Sequence, residues 1–342
     1  MNNDLLLIKH GQNPAYRPSD MISYLRTENM QSPRQNHDYI HKPVLLHEVM
    51  NLICLKDSQI IVDCTFGTGG YTSAFLENKN YKIYAIDRDP DALLIGEKLS
   101  LNYHNRLKMI DGCFSNIETL IPEKVDSIIL DIGVSSLQLD KPTRGFSFRY
   151  NGPLDMRMSI SGYTAADYIN SFDQDKIANI LYEYGQERAA RKIARKIVFM
   201  RKKKPFCTTF ELAEVVRSVV QKSKDGLDPA TRTFQALRIY VNDELKELHK
   251  ALFSAEKILK PNGRLAIVTF HSLEEHYIKY FIKLRCHRKY KKSRLLPGEK
   301  DDIMPMFTLI TQKPIIPKED EVYYNRRARS AKLHVFSYDF KS

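Results

Sequence analysis

The sequence predicts an α/β protein whose parallel sheet is interrupted by an all-helical insertion. Short apolar runs of strand length alternate with helical stretches between residues 44 and 131. From about residue 146 to 240 the apolar residues recur at helical spacing without a convincing strand, and strand-like runs return at 264–270 and 331–338. Because strands that alternate with helices form parallel sheets with right-handed crossovers, we expect one sheet domain that carries a helical insertion.

The apolar pattern places each element in chain order. The predicted elements of the first half are helix 44–55, strand 60–63, helix 71–79, strand 82–86, helix 90–100, strand 107–110 and strand 125–130. The later ones are three helical stripes around 177–184, 193–200 and 210–220, helix 242–259, turn 260–263, and strands 264–270 and 331–338. The polar segment 1–38 is predicted to be a flexible extension, so the sheet domain covers 39–145 and 241–342 and the insertion covers 146–240.

The first strand runs into a glycine-rich turn, Asp63-Cys64-Thr65-Phe66-Gly67-Thr68-Gly69-Gly70-Tyr71, and the next strand ends at Asp87. Glycines let a ligand approach the backbone, and a carboxylate after the second strand is placed to meet ribose hydroxyls. A dinucleotide fingerprint would need a third glycine where Thr72 stands, and no P-loop is present. The turn therefore favours S-adenosylmethionine, which lacks phosphate. A plain βαβ unit that binds nothing is the alternative.

Several polar residues follow predicted strands and should meet at one edge, since ligands bind beyond the carboxyl ends of parallel strands. They are Asp63, Asp87, Asp131 and His271. Asp63 could order the glycine turn, meet a cation of the ligand or cap a helix. His271 could belong to the site or pack in the core. Phe114, after another strand, could face an adenine or be a core residue.

Asp131 stands where a methyltransferase of this type holds the attacking atom. An exocyclic amine is a poor nucleophile, so it needs in-line alignment and an acceptor for its proton. Asp131 could be that acceptor or could bind the cofactor. The segment 131–138 has neither D-P-P-Y nor N-P-P-Y, and it has no cysteine for attack on a ring carbon, which argues against carbon-5 pyrimidine methylation. The segments 143–149 and 152–158 could face a substrate or simply link the domains.

Composition limits the class of protein. The chain has 342 residues, 43% hydrophobic and 27% charged, as in soluble globular proteins. No apolar run approaches the length of a membrane span, and the first ten residues lack a basic start and a cleavage site, so we expect neither a membrane span nor a signal peptide. The five cysteines form no C-x-x-C, so we expect no metal site. We expect a cytoplasmic location. The net charge of +12 indicates a polyanionic partner. Lysines and arginines cluster beside aromatic residues at 188–204, 283–294 and 326–332, which favours nucleic acid.

Nine segments in one order resemble the MraW (RsmH) family of bacterial small-subunit ribosomal RNA methyltransferases. The matching segments are residues 41–46, 63–71, 85–90, 130–136, 144–148, 152–158, 184–188, 229–238 and 270–274. The resemblance implies a Rossmann-like S-adenosylmethionine-dependent methyltransferase sheet with an inserted all-helical domain for substrate recognition. It also implies methylation of the N4 amine of a cytidine in the decoding region, with small-subunit ribosomal RNA or the small ribosomal subunit as partner.

The same resemblance implies the cofactor-binding residues. They are Gly69, Gly70, Tyr71, Asp87, Phe114, Asp131 and Gln138. The family usually has His where Tyr71 stands and Pro where Leu137 stands, so Tyr71 is expected to contribute its backbone N–H. Two other functions stay open: an NAD-dependent oxidoreductase, and a non-catalytic RNA-binding or assembly factor with a vestigial pocket. The sequence leaves open the oligomeric state and whether free RNA or the assembled subunit is the substrate.

Overall fold

The computed structural model describes residues 43–221, 226–286 and 305–339. The predicted extension 1–38 and most of the basic cluster at 283–294 lie outside these residues. The strands are β1 (Gln59–Asp63), β2 (Tyr81–Asp87), β3 (Leu107–Asp111), β4 (Val125–Asp131), β5 (Leu259–Thr269), β6 (Phe307–Leu309) and β7 (Lys332–Tyr338). They form one sheet in the order β3-β2-β1-β4-β5-β7-β6.

The predicted parallel sheet is confirmed for β1 to β5, which pair in parallel throughout. The expectation is wrong for the last strand, because β7 pairs antiparallel with β5 and with β6. Strand β6 was not predicted, since three residues are too few to show an alternation of apolar and polar side chains.

The helices of the sheet region are α1 (Leu46–Ile53), α2 (Gly70–Leu76), α3 (Pro90–Ser100), α4 (Ile117–Leu120) and α5 (Ser136–Asp140). Between β4 and β5 follow α6 (Ala165–Ser171), α7 (Gln174–Gly185), α8 (Ala190–Arg201), α9 (Thr209–Val219), α10 (Ala230–Val241) and α11 (Glu244–Ile258). After β5 come α12 (Ser272–Arg285) and α13 (Glu319–Tyr324). The predicted helices at 44–55, 71–79, 90–100 and 242–259 are thus confirmed.

Both faces of the sheet are buried, and successive residues of a strand alternate between two apolar clusters. In β5, Leu265 and Ile267 belong to the cluster that α11 and α12 cover, whereas Ala266 and Val268 belong to the cluster that includes α1 and α2. Side chains on a strand point alternately to opposite faces, so a strand with helices on both sides is apolar along its whole length. This explains the continuous apolar runs in the sequence.

The predicted turn at 260–263 lies within β5 as an irregular stretch. Val125 of β4 pairs with Leu259, and Ser127 pairs with Arg264, so four residues of β5 stand opposite one residue of β4. Asn262 has a φ of 62° there. The turn signal in the sequence therefore marks a bulge that joins the end of α11 to the rest of the strand.

The region between β4 and β5 has its own apolar core, formed by α6 to α10. The three predicted stripes supply buried residues to it, such as Leu181 of α7, Ile193 of α8 and Val216 of α9. Capping boxes at Thr164 and Thr208 begin α6 and α9. The helical section begins only at Ala165, because residues 146–164 form loops. The domain boundaries at 146 and 240 stay a prediction.

Candidate active site

The glycine-rich turn follows β1 and lies between the ends of its two neighbouring strands. Cys64 donates its N–H to the carbonyl of Ile129 in β4, and Phe66 donates to Ile86 in β2. Gly67 and Gly69 have φ angles of 55° and 79°, a region that side chains make costly. The glycines are therefore required by the turn itself, at the carboxyl edge of the sheet.

Asp63 at the end of β1 is fully buried and orders this turn. Its Oδ1 accepts the backbone N–H of Thr65 at 3.2 Å, and its Oδ2 accepts the hydroxyl of Thr72 at 2.7 Å. Burial raises the pKa of Asp63 to about 6, against the lowering effect of these hydrogen bonds. Of the three roles that the sequence allowed, ordering the turn is the one with visible contacts.

Asp87 at the end of β2 is bound by backbone N–H groups. Its Oδ2 accepts from Gly67 at 2.8 Å, and its Oδ1 accepts from Arg88 at 2.8 Å and from Asp89 at 2.9 Å. Burial raises the pKa of this carboxyl. Because a carboxylate has about four acceptor positions, Asp87 can still accept ribose hydroxyls while it holds the glycine turn.

Asp131 at the end of β4 differs from these two carboxylates. Its backbone N–H donates to the hydroxyl of Thr65 at 2.8 Å, but its side-chain Oδ1 is buried and has no hydrogen-bond partner among the described residues. Burial, with the nearby charges of Asp63 and Glu274, raises the pKa of Asp131 to about 8. Such a group can accept a proton or a hydrogen bond from a ligand.

His271 lies two residues after β5 and begins α12. Its Nδ1 accepts the backbone N–H of Glu274 at 3.3 Å, while Oε2 of Glu274 accepts the N–H of Phe270 at 2.6 Å and that of His271 at 3.2 Å. His271 Nε2 and Glu274 Oε1 lie 3.0 Å apart, yet neither makes a hydrogen bond. The ends of the adjacent parallel strands β2, β1, β4 and β5 thus bring the four predicted residues to one edge.

Of three other residues predicted to bind the cofactor, Tyr71 and Phe114 use their side chains in packing, and Gly70 begins a helix. The ring of Tyr71 is buried and stacks near Phe75, and its hydroxyl donates to the carbonyl of Val44. Phe114 begins a short turn after β3 and packs half-buried against the sheet core. Gly70 is the first residue of α2. For Tyr71 only the backbone N–H is left to meet a ligand.

Gln138 is buried in a network that sequence reasoning did not find. Its Nε2 donates to Oδ2 of Asp89 at 2.7 Å, and its Oε1 accepts the N–H of Ser135 at 3.1 Å. Oδ1 of Asp89 accepts from Arg144 at 2.8 Å, an almost buried ion pair. The sequence does mark Asp89 as a residue that begins a helix, because Asp followed by Pro is typical of a helix start.

Asn242 is a second residue that the sequence did not indicate. Its Oδ1 accepts the N–H of Met158 at 2.7 Å, and its Nδ2 donates to the carbonyl of Met156 at 2.7 Å. Arg88, next to Asp87, donates to the carbonyl of Asn242 at 3.1 Å. Asn242 therefore joins the loop after β4 and the end of α10 to the end of β2. Contacts across such sequence distances leave no local pattern.

A cavity of about 590 Å³ lies in the region between β4 and β5. Its lining includes Phe148, Phe210, Arg217 and Thr231. Arg217 forms an ion pair with Asp228 at 2.9 Å and lies over the ring of Phe148. The lining of the cavity includes none of the residues expected to hold the cofactor.

The residues at the carboxyl edge fit a nucleoside ligand that carries positive charge. Asp63, Asp87 and Asp131 are three carboxylates at neighbouring strand ends. Besides burial, the charge of Asp87 raises the pKa of Asp63, and the charge of Asp63 raises that of Asp131. A pyrophosphate there would be repelled, whereas ribose hydroxyls and a cation would supply what these groups lack. Fold and site together define a Rossmann-like methyltransferase that uses S-adenosylmethionine.

Comparison with known proteins supports this class. The profile of the MraW methylase family matches residues 38–338, and the chain belongs to that family. It is 51% identical over 298 residues to a Rhodospirillum centenum protein named "Ribosomal RNA small subunit methyltransferase H", covering 86% of this chain and 91% of the relative. A Paramagnetospirillum magneticum protein of the same name is 49% identical, covering 86% of this chain and 94% of the relative.

The likeness to solved structures is weaker. An rRNA methylase from Streptococcus thermophilus is 12% identical, with a TM-score of 0.38 over 86% of this chain and 94% of that chain. This TM-score is too low for the likeness to indicate function. The predicted family, the α/β methyltransferase sheet and the cofactor are confirmed by the family match and the sheet order, while the inserted all-helical domain stays a prediction. In the described part of the chain, no helix has the length and apolarity that a membrane span requires.

Proposed function

We propose that the protein methylates the N4 amine of a cytidine in the decoding region of small-subunit ribosomal RNA. The names of its relatives support the ribosomal substrate. The observation that carries the choice of an amine is the buried Oδ1 of Asp131, an acceptor without a partner among the described residues, at the end of β4. Attack from a ring carbon would call for a nearby cysteine, and the segment 131–138 has none.

The cofactor supplies an electrophilic methyl group on a sulfonium when it is bound. Transfer to the amine would form the N–C bond as the S–C bond breaks, with the electron pair of that bond left on sulfur. One amine proton must then leave, and Asp131 Oδ1 accepts it. A sulfonium near Asp131 would favour the charged form of the Asp131 carboxyl. The pKa of about 8 in the ligand-free protein would then fall, so that the carboxyl is ionised and can accept the proton.

The cofactor-binding residues follow from the same edge. Asp87 accepts the ribose hydroxyls, and Gly69, Gly70 and Tyr71 present backbone to the ligand beside it. Phe114 borders the adenine. Gln138 uses one side-chain N–H to bind Asp89, and its second N–H donates to the cofactor. Since Asp63 already holds the glycine turn through both oxygens, its contribution is to shape the binding loop.

The RNA backbone is bound by the exposed face of α8 and the residues before it. Arg188, Arg191, Lys192 and Arg195 are exposed there, and the described part of the structure contains no ion pair for any of them. Other predicted basic residues are used internally: Arg327 pairs with Asp140 at 2.6 Å. We infer that the inserted section 146–240 is the substrate-recognition domain. We also propose that the protein acts in the cytoplasm, on ribosomal subunits or their RNA.

The direct test is transfer of a labelled methyl group into small ribosomal subunits and into free small-subunit RNA, followed by mass mapping of the nucleosides. We expect N4-methylcytidine in one of the two substrates. 5-Methylcytidine, or methylation of another base, would contradict the proposal. RNA binding without any transfer would favour the assembly-factor alternative instead.

The contribution of α8 to RNA binding is measured separately. The double variant Arg191→Ala, Lys192→Ala should bind RNA more weakly, and the slope of log affinity against log salt should fall by about 1 for each phosphate that is no longer neutralised. Arg157→Ala is the matched control, because Arg157 is held by Asp155 at 2.8 Å. An unchanged salt slope in the double variant would place the RNA elsewhere.

The oxidoreductase alternative is tested by thermal shift. S-adenosylhomocysteine should raise the melting temperature and NADH should not, because the buried carboxylates repel a pyrophosphate. Stabilisation by NADH alone would overturn the assignment of the cofactor.

A further inference from the structure

Buried polar atoms without partners are concentrated at one place in this protein. In the described residues, six buried side-chain nitrogen or oxygen atoms lack a hydrogen bond. Three of the six, called the cluster below, belong to residues at or just beyond the ends of the adjacent strands β4 and β5: Asp131 Oδ1, His271 Nε2 and Glu274 Oε1. Such atoms are costly in a folded protein, and a cluster of them at a site is explained when a ligand completes their hydrogen bonds.

The cluster forms where two adjacent strands end. Asp131 of β4 pairs with Val268 of β5, and Ile132 donates its N–H to the carbonyl of Val268 at 3.0 Å. The charge of Glu274 contributes, after burial and Asp63, to raising the pKa of Asp131. His271, whose side chain is 14% exposed, leads from β5 into α12 beside them.

The hydrogen bonds of His271 decide which of its nitrogens is a donor. Nδ1 accepts the backbone N–H of Glu274, so the neutral ring carries its proton on Nε2. The unpartnered atom is therefore a donor, and it stands in one cluster with the unpartnered acceptor on Asp131. Glu274 Oε1, 3.0 Å from Nε2, limits how the ring can turn.

The neighbouring Glu275 shows that a buried glutamate–histidine pair in this protein can make all of its hydrogen bonds within the chain. Glu275 Oε1 accepts the hydroxyl of Thr269 at 2.6 Å and bonds Nε2 of His334 at 2.8 Å. That glutamate–histidine pair is buried and complete without a ligand. One residue earlier in the chain, His271 and Glu274 are in contact at 3.0 Å, but within the described residues neither His271 Nε2 nor Glu274 Oε1 makes a hydrogen bond, so a ligand could supply one.

We propose that His271 is the residue that selects cytosine: its Nε2–H donates to ring nitrogen N3 of the target base while Asp131 Oδ1 accepts an N–H of the neighbouring N4 amine. This inference rests on the proposed function. Cytosine presents a donor at N4 beside an acceptor at N3, and uracil presents the reverse order at the same two positions. Glu274 is a positioning residue, since it caps α12 and orients the imidazole.

Two substitutions at His271 separate the donor from the helix cap. His271→Asn keeps a side-chain oxygen suited to capping α12 but has no group at the position of Nε2. His271→Gln places an amide N–H near that position. We expect kcat/KM for methyl transfer to fall roughly 10- to 100-fold in His271→Asn, as for the removal of one specific hydrogen bond to a base, and to be largely restored in His271→Gln.

The control is His334→Asn, which removes a buried and fully partnered histidine. We expect it to lower the melting temperature while kcat/KM for transfer stays within about twofold. Each variant is first checked for its melting temperature and for its affinity for S-adenosylhomocysteine. A similar fall of kcat/KM in His334→Asn would show that loss of a buried histidine alone explains the effect, and would overturn the proposal.

A substrate with one atom changed gives the decisive result. The target cytidine is replaced by 3-deazacytidine, which has C–H in place of N3, in whichever RNA or subunit the wild-type protein methylates. The wild type should lose roughly 10- to 100-fold in kcat/KM, and His271→Asn should show no further loss. Independent, multiplying losses would overturn the inference. Absence of N4 transfer by the wild type on the natural substrate would instead overturn the proposed function.

Discussion

The two halves of the carboxyl edge are built differently. At the ends of β1 and β2, Asp63 and Asp87 use all of their carboxylate oxygens to accept hydrogen bonds from the chain. At the ends of β4 and β5, Asp131, His271 and Glu274 each keep one buried atom without a hydrogen bond in the described structure, although the atoms of His271 and Glu274 lie 3.0 Å apart. The first half is organised by the chain itself, whereas we propose that the reacting groups complete the second.

The largest effect is expected from Asp131→Asn, which alters the incomplete half. Methyl transfer should fall by about 10²- to 10⁴-fold, the usual contribution of a proton acceptor, in a single-turnover assay with labelled cofactor. Asp126→Asn is the control, because Asp126 is a buried carboxylate at the other end of β4, paired with Lys56 at 2.7 Å and Lys260 at 2.8 Å. Comparable rates for Asp131→Asn and wild type would remove Asp131 from the reaction.

Asp87→Ala alters the complete half. Loss of a charged hydrogen-bond acceptor should weaken S-adenosylmethionine binding about 10- to 100-fold in calorimetric titration. The freed N–H groups of Gly67 and Asp89 should also loosen the glycine turn. The affinity of Asp87→Asn, which keeps one acceptor oxygen, should lie between those of Asp87→Ala and the wild type. Identical affinities for Asp87→Ala and the wild type would show that ribose is not bound here.

The stability of the ligand-free protein should fall with rising pH through both halves, over different pH ranges. The pKa of Asp131 is raised from its ordinary value near 4 to about 8, so between these values the folded state holds a proton that the unfolded state releases. Its contribution is fully present below pH 4 and is lost as the pH rises through 8. Asp131→Asn should therefore be more stable than wild type at pH 9, by about 1–3 kcal/mol, and show little difference at pH 5.

Asp63→Ala is the counterpart in that experiment. It removes the acceptor for Thr65 and Thr72, so denaturant unfolding should show a loss of about 1–3 kcal/mol. The loss should shrink as the pH rises from about 4 through about 6, since the buried carboxyl must then ionise in the wild type. Stabilisation of the protein by Asp63→Ala at pH 5 would contradict the comparison of the two halves.

The smallest effect is expected from Tyr71→Phe. The hydroxyl of Tyr71 donates to the carbonyl of Val44, so the variant should lose about 0.5–1.5 kcal/mol of unfolding free energy. Cofactor affinity should stay within twofold in calorimetric titration, because the ring is buried and only the backbone N–H of Tyr71 is expected to meet the ligand. A large loss of affinity would show that the side chain contacts the cofactor after all.

Much of the sheet region was open to prediction because its signals are local. The apolar runs of β1, β2 and β4 and the glycine turn depend on neighbours within a few residues, and each strand ends at the predicted carboxylate. Strand β6, the bulge at 260–263 and the antiparallel β7 were missed or misjudged. Each of these depends on which strand lies alongside, and a short segment does not encode its neighbour.

The candidate site divides in the same way. The sequence by itself determined the parallel core of the sheet, the glycine turn and the acids that end its strands, because backbone conformation and apolar alternation follow from residues close in the chain. Only the tertiary structure decided that Asp63 serves the turn, that Gln138 is tied to Asp89, and that His271 and Glu274 stand beside Asp131 with atoms unpaired. These outcomes depend on burial and on partners brought together from distant segments, and folding alone sets both.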